Sequence, residues 1–259
     1  MRIAVTGTHG LIGRHLIPEL ERAGHRVVRL VRGRADNQDT VSWDPDRCLL
    51  DPADLGGVDA AVHLAGAGIF GRWNDSRKRA MLDSRVRGTL LLAERLAQID
   101  PPPQVLVSGS AVGWYGDRGD ELLTEQSAPG SGFLAELCAQ WEAAAQAAVD
   151  AGIRTVFART GIVQATDGGA LATQLPVFKL GLGGRLGRGH QWTSWISIRD
   201  HVSAILHALQ TDSLRGPVNL TAPTPVTNAD YTRALGAALR RPALMLVPAP
   251  AIELALGRE

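Results

Sequence analysis

Short apolar runs alternate along the chain with longer segments in which apolar residues recur every three or four positions. The short runs predict buried strands, and the recurring spacing predicts helices that bury one face. The strands are predicted at residues 3–6, 27–31, 59–64, 104–108, 155–158, 217–220 and 243–247. The helices are predicted at 11–23, 75–98, 133–149, 200–209, 228–239 and from 251 to 256. This alternation predicts an α/β fold with right-handed crossovers and a doubly wound parallel sheet.

Three glycines, Gly7, Gly10 and Gly13, stand between the first predicted strand and the first predicted helix. Gly7 suits the tight turn, the missing Cβ of Gly10 lets the backbone approach a pyrophosphate, and Gly13 lets the helix pack close to the strand. The N–H groups at the start of the helix, at Leu11 and Ile12, are free for an anion. This context predicts a Rossmann-type dinucleotide-binding turn. A turn of the same shape without a ligand is the alternative interpretation.

The end of the second predicted strand carries arginines and no carboxylate. An NAD site usually places Asp or Glu there, whereas the 2′-phosphate of NADP calls for cations. The corresponding position falls near Val31, and Arg29, Arg32 and Arg34 surround it. We predict NADP(H) as the cofactor and Arg32 as the residue that binds its 2′-phosphate, because a guanidinium matches phosphate geometry. A solvated basic turn is the alternative.

A turn of small residues follows the predicted strand at 59–64. Ligands of parallel sheets lie at the carboxyl ends of the strands, so this turn is placed to pass beside a nucleotide. We therefore predict cofactor contacts from Leu64, Ala65 and Gly66. His63, at the end of the strand, is interpreted as a core histidine with a satisfied hydrogen bond.

Composition and charge exclude several classes of protein. The 259 residues, 45% of them hydrophobic, suffice for one large α/β domain or for one domain with a small appended lobe. With 27 basic and 26 acidic residues, the net charge of +1 predicts no nucleic-acid partner and no attraction to an anionic membrane. Cys48 and Cys138 show no metal-ligand spacing and no disulfide framework. Neither a signal peptide nor a membrane-spanning run is visible, which predicts a cytoplasmic protein.

The composition changes after Gly168 and Gly169. The following stretch, residues 178–200, combines many glycines with Trp192 and Trp195. We expect a lobe that covers a small-molecule substrate to begin here, although a bent hairpin that uses tryptophan for packing is equally compatible. The predicted division is an NADP-binding Rossmann domain at 1–165, to whose sheet later segments return, and a mainly substrate-side lobe at 166–259.

Four phrases in the sequence resemble a known family: TGTHGLIG at 6–13, HLAGAG at 63–68, SGSAVGWYGDRG at 108–119 and WISIRD at 195–200. In this order they resemble the extended short-chain dehydrogenase/reductases, and more closely the atypical subgroup of sugar-nucleotide epimerase family proteins. The resemblance extends from Arg2 to about Pro250. It implies a Rossmann fold, NADP(H) at the glycine turn and a C-terminal lobe over a substrate. Because such proteins usually continue for a few dozen residues more, we expect the lobe to be incomplete here.

The usual members of that family abstract a hydroxyl proton with a Tyr-x-x-x-Lys pair, in which the lysine lowers the tyrosine pKa. This chain lacks the pair. Neither of its two tyrosines, Tyr115 and Tyr231, is followed four residues later by lysine. The resemblance places Phe133 and Leu137 at the positions of the pair.

Two hydroxyl groups are the candidates for catalysis. Ser110 follows the strand predicted at 104–108, where the resemblance places the Ser or Thr that polarises the substrate oxygen. Tyr115 and Asp117 are the nearby groups able to replace the missing phenol, and Tyr115 would need activation by an arginine such as Arg159. We therefore name Ser110 and Tyr115 as candidate catalytic residues. A turn serine and a packed tyrosine are the alternatives.

Two functions follow from the sequence. The first is an NADP(H)-dependent oxidoreductase or epimerase that acts on a polar substrate, nucleotide-linked substrates included. The second is a catalytically silent module that binds or senses NADP(H). The missing Tyr/Lys pair favours the second function, whereas Ser110 and the glycine- and tryptophan-rich segment favour the first. The substrate and the oligomeric state are not indicated.

Overall fold

The computed structural model describes residues 1–35, 37–69 and 71–248. The strands are β1 (Arg2–Thr6), β2 (Arg26–Val31), β3 (Thr40–Ser42), β4 (Ala60–His63), β5 (Val105–Ala111), β6 (Arg154–Thr160), β7 (Ile162–Gln164), β8 (Gly184–Leu186), β9 (Trp192–Thr193), β10 (Trp195–Ser197), β11 (Gly216–Leu220), β12 (Val226–Thr227) and β13 (Met245–Val247). The helices are α1 (Leu11–Arg22), α2 (Asp75–Leu96), α3 (Phe133–Ala143), α4 (Gln146–Asp150), α5 (Gly169–Lys179), α6 (Ile198–Gln210) and α7 (Asn228–Leu239).

A seven-stranded sheet in the order β11-β6-β5-β4-β1-β2-β3 forms the centre of the molecule. All of its strand pairs are parallel. One face of the sheet packs against apolar residues of α1 and α6, and the other face packs against α2 and α4. The strands are nearly continuous apolar runs because both faces are covered. The predicted doubly wound parallel sheet is therefore confirmed.

The lobe outside the sheet consists of α5, α7 and three small strand pairs. β7 pairs with β10 and β8 pairs with β13 in parallel, whereas β9 pairs with β12 antiparallel. Segments beyond residue 165 also return to the nucleotide-binding half, since β11 pairs with β6 and α6 packs beside α1. The division at residue 165 stays a prediction.

Within the described residues the chain crosses between the sheet and this lobe three times, after β6, before α6 and after β11. The crossings lie side by side. The amide of Ile162 donates to the Ser194 carbonyl at 2.8 Å, and the amide of Ala222 donates to the Trp195 carbonyl at 2.6 Å. A Cβ at Gly161 would lie 2.8 Å from the Ser194 oxygen, so the crossings are in close backbone contact. We call residues 161–162, 194–198 and 221–222 the neck.

Two of the predicted elements differ from the sequence prediction in ways that bear on the site. β5 extends past the predicted end at residue 108 to Ala111, because it is paired with β6 as far as Ala111 opposite Thr160. Ser110 therefore lies inside a strand and not in the turn after it. The helix predicted at 133–149 divides into α3 and α4, where the amide of Ala145 bonds to the Glu142 carbonyl, one residue short of the α-helical spacing.

The helix predicted from residue 251 lies outside the described residues. Among the residues that are described, no helix combines the length and the apolar character that crossing a bilayer requires.

Candidate cofactor and active site

The glycine turn after β1 is in direct backbone contact with the turn after β4. Gly7 has a φ of 69°, and a Cβ on it would lie 2.7 Å from the carbonyl carbon of Leu64. A Cβ at Gly13 would overlap the Gly7 carbonyl and lie 2.9 Å from the Cα of Thr8. Gly10 differs, since its Cβ would meet only the Gly7 oxygen, at 3.2 Å. Gly7 and Gly13 are thus required by packing, whereas Gly10 borders open space.

The first helix begins without a side-chain cap. Gly10 occupies the N-cap position of α1, and no side-chain hydrogen bond caps it. The first N–H groups of a helix have no intrahelical partner, and the helix dipole adds partial positive charge there. Leu11 and Ile12 carry two of these groups, as the sequence predicts. An anion is the ligand that this helix start would accept.

Thr6 and His63 fix the two turns relative to each other. The hydroxyl of Thr6 accepts from the amides of Leu64 at 3.0 Å and Ala65 at 3.2 Å. Its proton therefore goes to Nδ1 of His63, 2.8 Å away, which places the ring proton on Nε2. Burial, and then the charge of Arg85, lower the pKa of His63 to about 4. His63 is a neutral, fully buried histidine that holds the turn, in agreement with its interpretation as a core residue, but only its Nδ1 has a hydrogen-bond partner among the described residues.

The arginines after β2 differ in their partners. Arg29 forms an ion pair with Glu21 at 2.7 Å, so its guanidinium is already committed. Arg32 and Arg34 are exposed and make no ion pair within the described part of the chain. Arg32 therefore stays the predicted 2′-phosphate ligand, with Arg34 two residues away.

The loop that carries these two arginines is held by Ser42 of β3. The Ser42 hydroxyl donates to the Gly33 carbonyl at 2.6 Å and accepts from the Ala35 amide at 2.9 Å. Both bonds hold the loop backbone next to the end of β2. The loop is thus shaped before any ligand binds, which lowers the entropy cost of binding an anion there.

The turn after β4 rests on α2. Arg85 of α2 donates to the Ala67 carbonyl at 3.0 Å and lies over the Trp141 ring, 5.0 Å from its centroid. A Cβ at Gly66 would lie 3.2 Å from the Arg85 guanidinium carbon, so the turn sits directly on this side chain. Burial lowers the pKa of Arg85. No carboxylate among the described residues pairs with it, and its bonds shape the turn.

Ser110 is part of a buried ionic network. Its hydroxyl donates to Oε1 of Glu142 at 2.6 Å. Glu142 also accepts from Arg159 at 2.8 and 2.9 Å, and the side chains of this pair are 9% and 3% exposed. Since the Ser110 proton goes to Glu142, the serine presents only lone pairs to other groups.

Tyr115 joins the same network from the turn after β5. Arg159 donates to the Tyr115 hydroxyl at 3.2 Å. The arginine that we predicted to activate this tyrosine therefore lies beside it. The hydroxyl in turn donates to Oδ1 of Asn219 at 2.6 Å. Ser110, Arg159 and Asn219 are register partners across β5, β6 and β11. The structure thus brings both candidate hydroxyls together, and both donate to protein acceptors.

Glu142 and Asn219 belong to this network but are not predicted as site residues from the sequence. Glu142 had a usable signal, because it lies four residues after Cys138 and three before Ala145 on the apolar face of the predicted helix. A carboxylate on an apolar face needs a buried cation, and Arg159 is that cation. Asn219 had no such signal. Asp117, the other named group, accepts from the Gly119 amide at 3.1 Å and is exposed.

A second turn packs on the start of α1. Asp167 forms an ion pair with Arg14 at 3.2 Å and accepts from Nε2 of His15 at 3.0 Å. A Cβ at Gly168 would lie 2.7 Å from the Arg14 guanidinium, and one at Gly169 would lie 2.9 Å from the Leu11 side chain. The chain after β7 therefore borders the helix start that is open to an anion.

Metal ligands do not cluster in the described residues, where no group of three or more His, Cys, Asp or Glu side chains could hold an ion. The parallel sheet, the uncapped helix start and the glycine turn define a Rossmann-type nucleotide-binding protein. Within that class the chain belongs to the NAD dependent epimerase/dehydratase family, which matches residues 3–220.

Individual relatives agree with this family assignment. Epimerase family protein Mb2239 of Mycobacterium bovis is 43% identical over 256 residues, which are 98% of this chain and 84% of that protein. The crystal structure of human epimerase family protein SDR39U1 (isoform 2) with NADPH has a TM-score of 0.92 at 35% identity, covering 100% of this chain and 86% of that one. The nucleoside-diphosphate sugar epimerase of Corynebacterium glutamicum has a TM-score of 0.82 at 40% identity, covering 98% and 54%. The predicted family is thereby confirmed.

Proposed function

We propose that this chain is an NADP(H)-dependent oxidoreductase or epimerase acting on a polar substrate, nucleotide-linked substrates included. The observation that carries the proposal is the turn after β1, where Gly10 borders open space beside the uncapped start of α1. A pyrophosphate placed there would meet free N–H groups and no Cβ. The human relative, which was solved with NADPH, supports the choice of cofactor.

The residues proposed to hold the cofactor surround this turn. The backbone of the glycine turn and helix start takes the pyrophosphate, the turn after β4 borders the nucleotide, and the loop after β2 takes the 2′-phosphate. They are Gly7, Gly10, Leu11, Ile12, Arg32, Leu64, Ala65 and Gly66. When bound, the nicotinamide supplies hydride transfer.

The protein's own part in the reaction is to orient the substrate oxygen. Because the Ser110 proton goes to Glu142, the serine oxygen is oriented to accept a hydrogen bond from a substrate hydroxyl. Tyr115 is held by Arg159 and Asn219 next to the same strand ends. We keep Ser110 and Tyr115 as the proposed substrate-orienting groups.

A catalytically silent NADP(H)-binding module is the second candidate, and one observation favours it. Both candidate hydroxyls donate to protein acceptors, and Ser110 and Tyr115 are only 3% and 4% exposed. A protein that only senses the nucleotide would need no free proton donor at this place. NADPH oxidation in the presence of carbonyl compounds and nucleotide-sugars separates the two, since a silent module binds NADPH saturably without oxidising it.

We further propose a cytoplasmic location, which the two unpaired cysteines, exposed Cys48 and buried Cys138, support. Residues 1–165 are proposed as the core of the cofactor domain and residues 166–259 as the mainly substrate-side part. The proposed partner is a small-molecule substrate, with no nucleic acid.

Substitution of Arg32 tests the cofactor assignment. Arg32→Ala is expected to weaken NADPH binding by about 1.5–3 kcal/mol, the value of one hydrogen-bonded charged contact, while NADH binding stays unchanged. Arg29→Ala is the matched control, because Arg29 lies on the same edge but is paired with Glu21. Isothermal titration of both nucleotides measures the difference. Equal losses for NADPH and NADH would remove Arg32 from this role.

A further inference from the structure

The polar groups at the carboxyl ends of β5 and β6 lack a free proton donor. Ser110 donates to Glu142, Tyr115 donates to Asn219, and Arg159 is paired with Glu142. A substrate that reacts beside the nicotinamide needs a donor for its negatively charged or carbonyl oxygens. That donor must come from another element at the same edge of the sheet.

Lys78 is such a donor. It lies in the second turn of α2, with its ammonium 5.3 Å from the centroid of the Phe133 ring. Phe133, the first residue of α3, meets Trp73 edge to face with ring centroids 5.8 Å apart. Lys78 is half-buried, and within the described part of the chain its ammonium makes no hydrogen bond or ion pair.

The topology places Lys78 at the carboxyl edge of the sheet. α2 begins after the turn that follows β4, and α3 begins after the loop that follows β5. Trp73, Trp114, Phe133 and Ala111, the last residue of β5, pack in one apolar cluster. The ammonium therefore lies beside a cluster of aromatic side chains that extends to Ala111, the residue after Ser110.

The charges around Lys78 favour an anionic ligand. Arg72 and Arg79 are exposed neighbours without ion pairs in the described residues. Of the two nearby carboxylates on α2, Asp83 is paired with Arg87 at 3.7 Å, and Asp75 lies in the first turn of the helix. On this part of α2 cations thus outnumber free carboxylates, and a lysine ammonium serves an anion as a point charge.

We propose that Lys78 binds the carboxylate of the substrate, whose planar apolar body packs on Trp73 and Phe133. The chemical class that fits is an aromatic or unsaturated oxo acid, or the hydroxy acid that corresponds to it. A substrate with a flat ring suits these aromatic side chains, because they stack with such a ring or meet it edge to face. The inference rests on the proposed function, since it assigns the substrate of the same site.

Lysine-directed acetylation tests the proposal in the wild-type chain, because Lys78 and Lys179 are its only lysines. The protein saturated with NADPH is treated with limiting acetic anhydride, with and without phenylpyruvate, and each lysine is followed by peptide mass spectrometry. Phenylpyruvate at ten times its dissociation constant is expected to slow acetylation of Lys78 about tenfold, by occupancy, while exposed Lys179 reacts unchanged. Equal rates at Lys78 with and without phenylpyruvate would overturn the proposal.

A second measurement uses variants. Lys78→Met, which keeps an apolar stem of similar length, is expected to weaken phenylpyruvate binding at least about tenfold, or 1.4 kcal/mol, with Lys179→Met as the unaffected control. An unchanged affinity in Lys78→Met also overturns the proposal. If UDP-glucuronate protects Lys78 from acetylation but phenylpyruvate does not, the substrate does not have the planar apolar body proposed here.

NADPH titration of the same samples keeps the two proposals apart. The NADPH affinity of Lys78→Met is expected to equal that of the wild-type chain. If the wild-type chain fails to bind NADPH but phenylpyruvate still protects Lys78, the cofactor assignment falls and the carboxylate site stands. If NADPH binds and phenylpyruvate does not protect Lys78, the carboxylate site falls alone.

Discussion

Alanine substitutions at Gly10 and Gly13 are expected to separate cofactor binding from stability. At Gly10 the added methyl would meet only the Gly7 oxygen, at 3.2 Å, and Gly10 is the N-cap of α1. Alanine is a poor N-cap, so we expect a cost of about 0.5–1 kcal/mol. The same methyl would occupy the open space proposed for the pyrophosphate. NADPH affinity should fall at least about 100-fold, or 2.7 kcal/mol.

At Gly13 the methyl would overlap the Gly7 carbonyl and lie 2.9 Å from the Cα of Thr8. Both obstacles are backbone, so α1 must move away from the turn. Overpacking of this kind costs about 3 kcal/mol. The better helix propensity of alanine returns about 1 kcal/mol. The net loss of about 2 kcal/mol corresponds to a Tm lower by about 4–8 °C, against about 1–4 °C for Gly10→Ala.

Thermal unfolding followed by circular dichroism without nucleotide, and NADPH titration followed by fluorescence, measure the two effects. Gly56→Ala is the control, because a Cβ there meets only the Ala53 oxygen, at 3.3 Å, and Gly56 lies outside the proposed cofactor contacts. The reasoning is refuted if Gly10→Ala binds NADPH like the wild-type chain, or if it loses as much stability as Gly13→Ala.

Two further predictions concern buried charge. Glu142→Leu leaves the charge of Arg159 uncompensated in the interior, so it should lower the free energy of unfolding in urea by about 3–5 kcal/mol. The double variant Glu142→Leu/Arg159→Met should lose less free energy than this single variant. A larger loss in the double variant would contradict the argument. Burial, joined at His63 by the charge of Arg85, lowers the pKa values of His63 and His201 to about 4, so both histidines are neutral when folded. The contribution of each histidine to the free energy of unfolding is complete above a pH of about 6.5. It falls by up to about 3 kcal/mol as the pH decreases to about 4, because the unfolded chain binds the protons first. His63→Gln should show about half of the combined loss between pH 7 and pH 4.5, and an unchanged pH dependence would contradict the assignment.

The sequence predicted the elements whose signals are local. The bounds of α7 are those predicted at 228–239, and the glycine turn lies between β1 and α1 as expected. Four strands of the lobe, β8, β9, β10 and β12, are only two or three residues long, too short for a period to show. β13 lies within the strand predicted at 243–247. α5 was missed for another reason, since it contains Pro176 and begins at two glycines, Gly168 as N-cap and Gly169 as its first residue.

The partners of the candidate hydroxyls could not be predicted, because they are distant in sequence. Ser110 bonds to Glu142, 32 residues away, and Tyr115 bonds to Asn219, 104 residues away. Local spacing says nothing about such pairs, which depend on how β5, β6 and β11 are ordered in the sheet. Lys78 and Phe133 are likewise brought together by the packing of α2 against α3.

The neck has a mechanical consequence. Three segments of the chain cross the neck side by side and are joined by hydrogen bonds. The lobe is therefore connected to the sheet by three linked segments and not by a single linker. The ion pair of Asp167 with Arg14 of α1 is a further contact between the lobe and the sheet, so the lobe is fixed at a second place besides the neck. A protease that cuts one crossing would leave the two halves joined by the other two. The lobe would remain attached and keep its alignment after the cut.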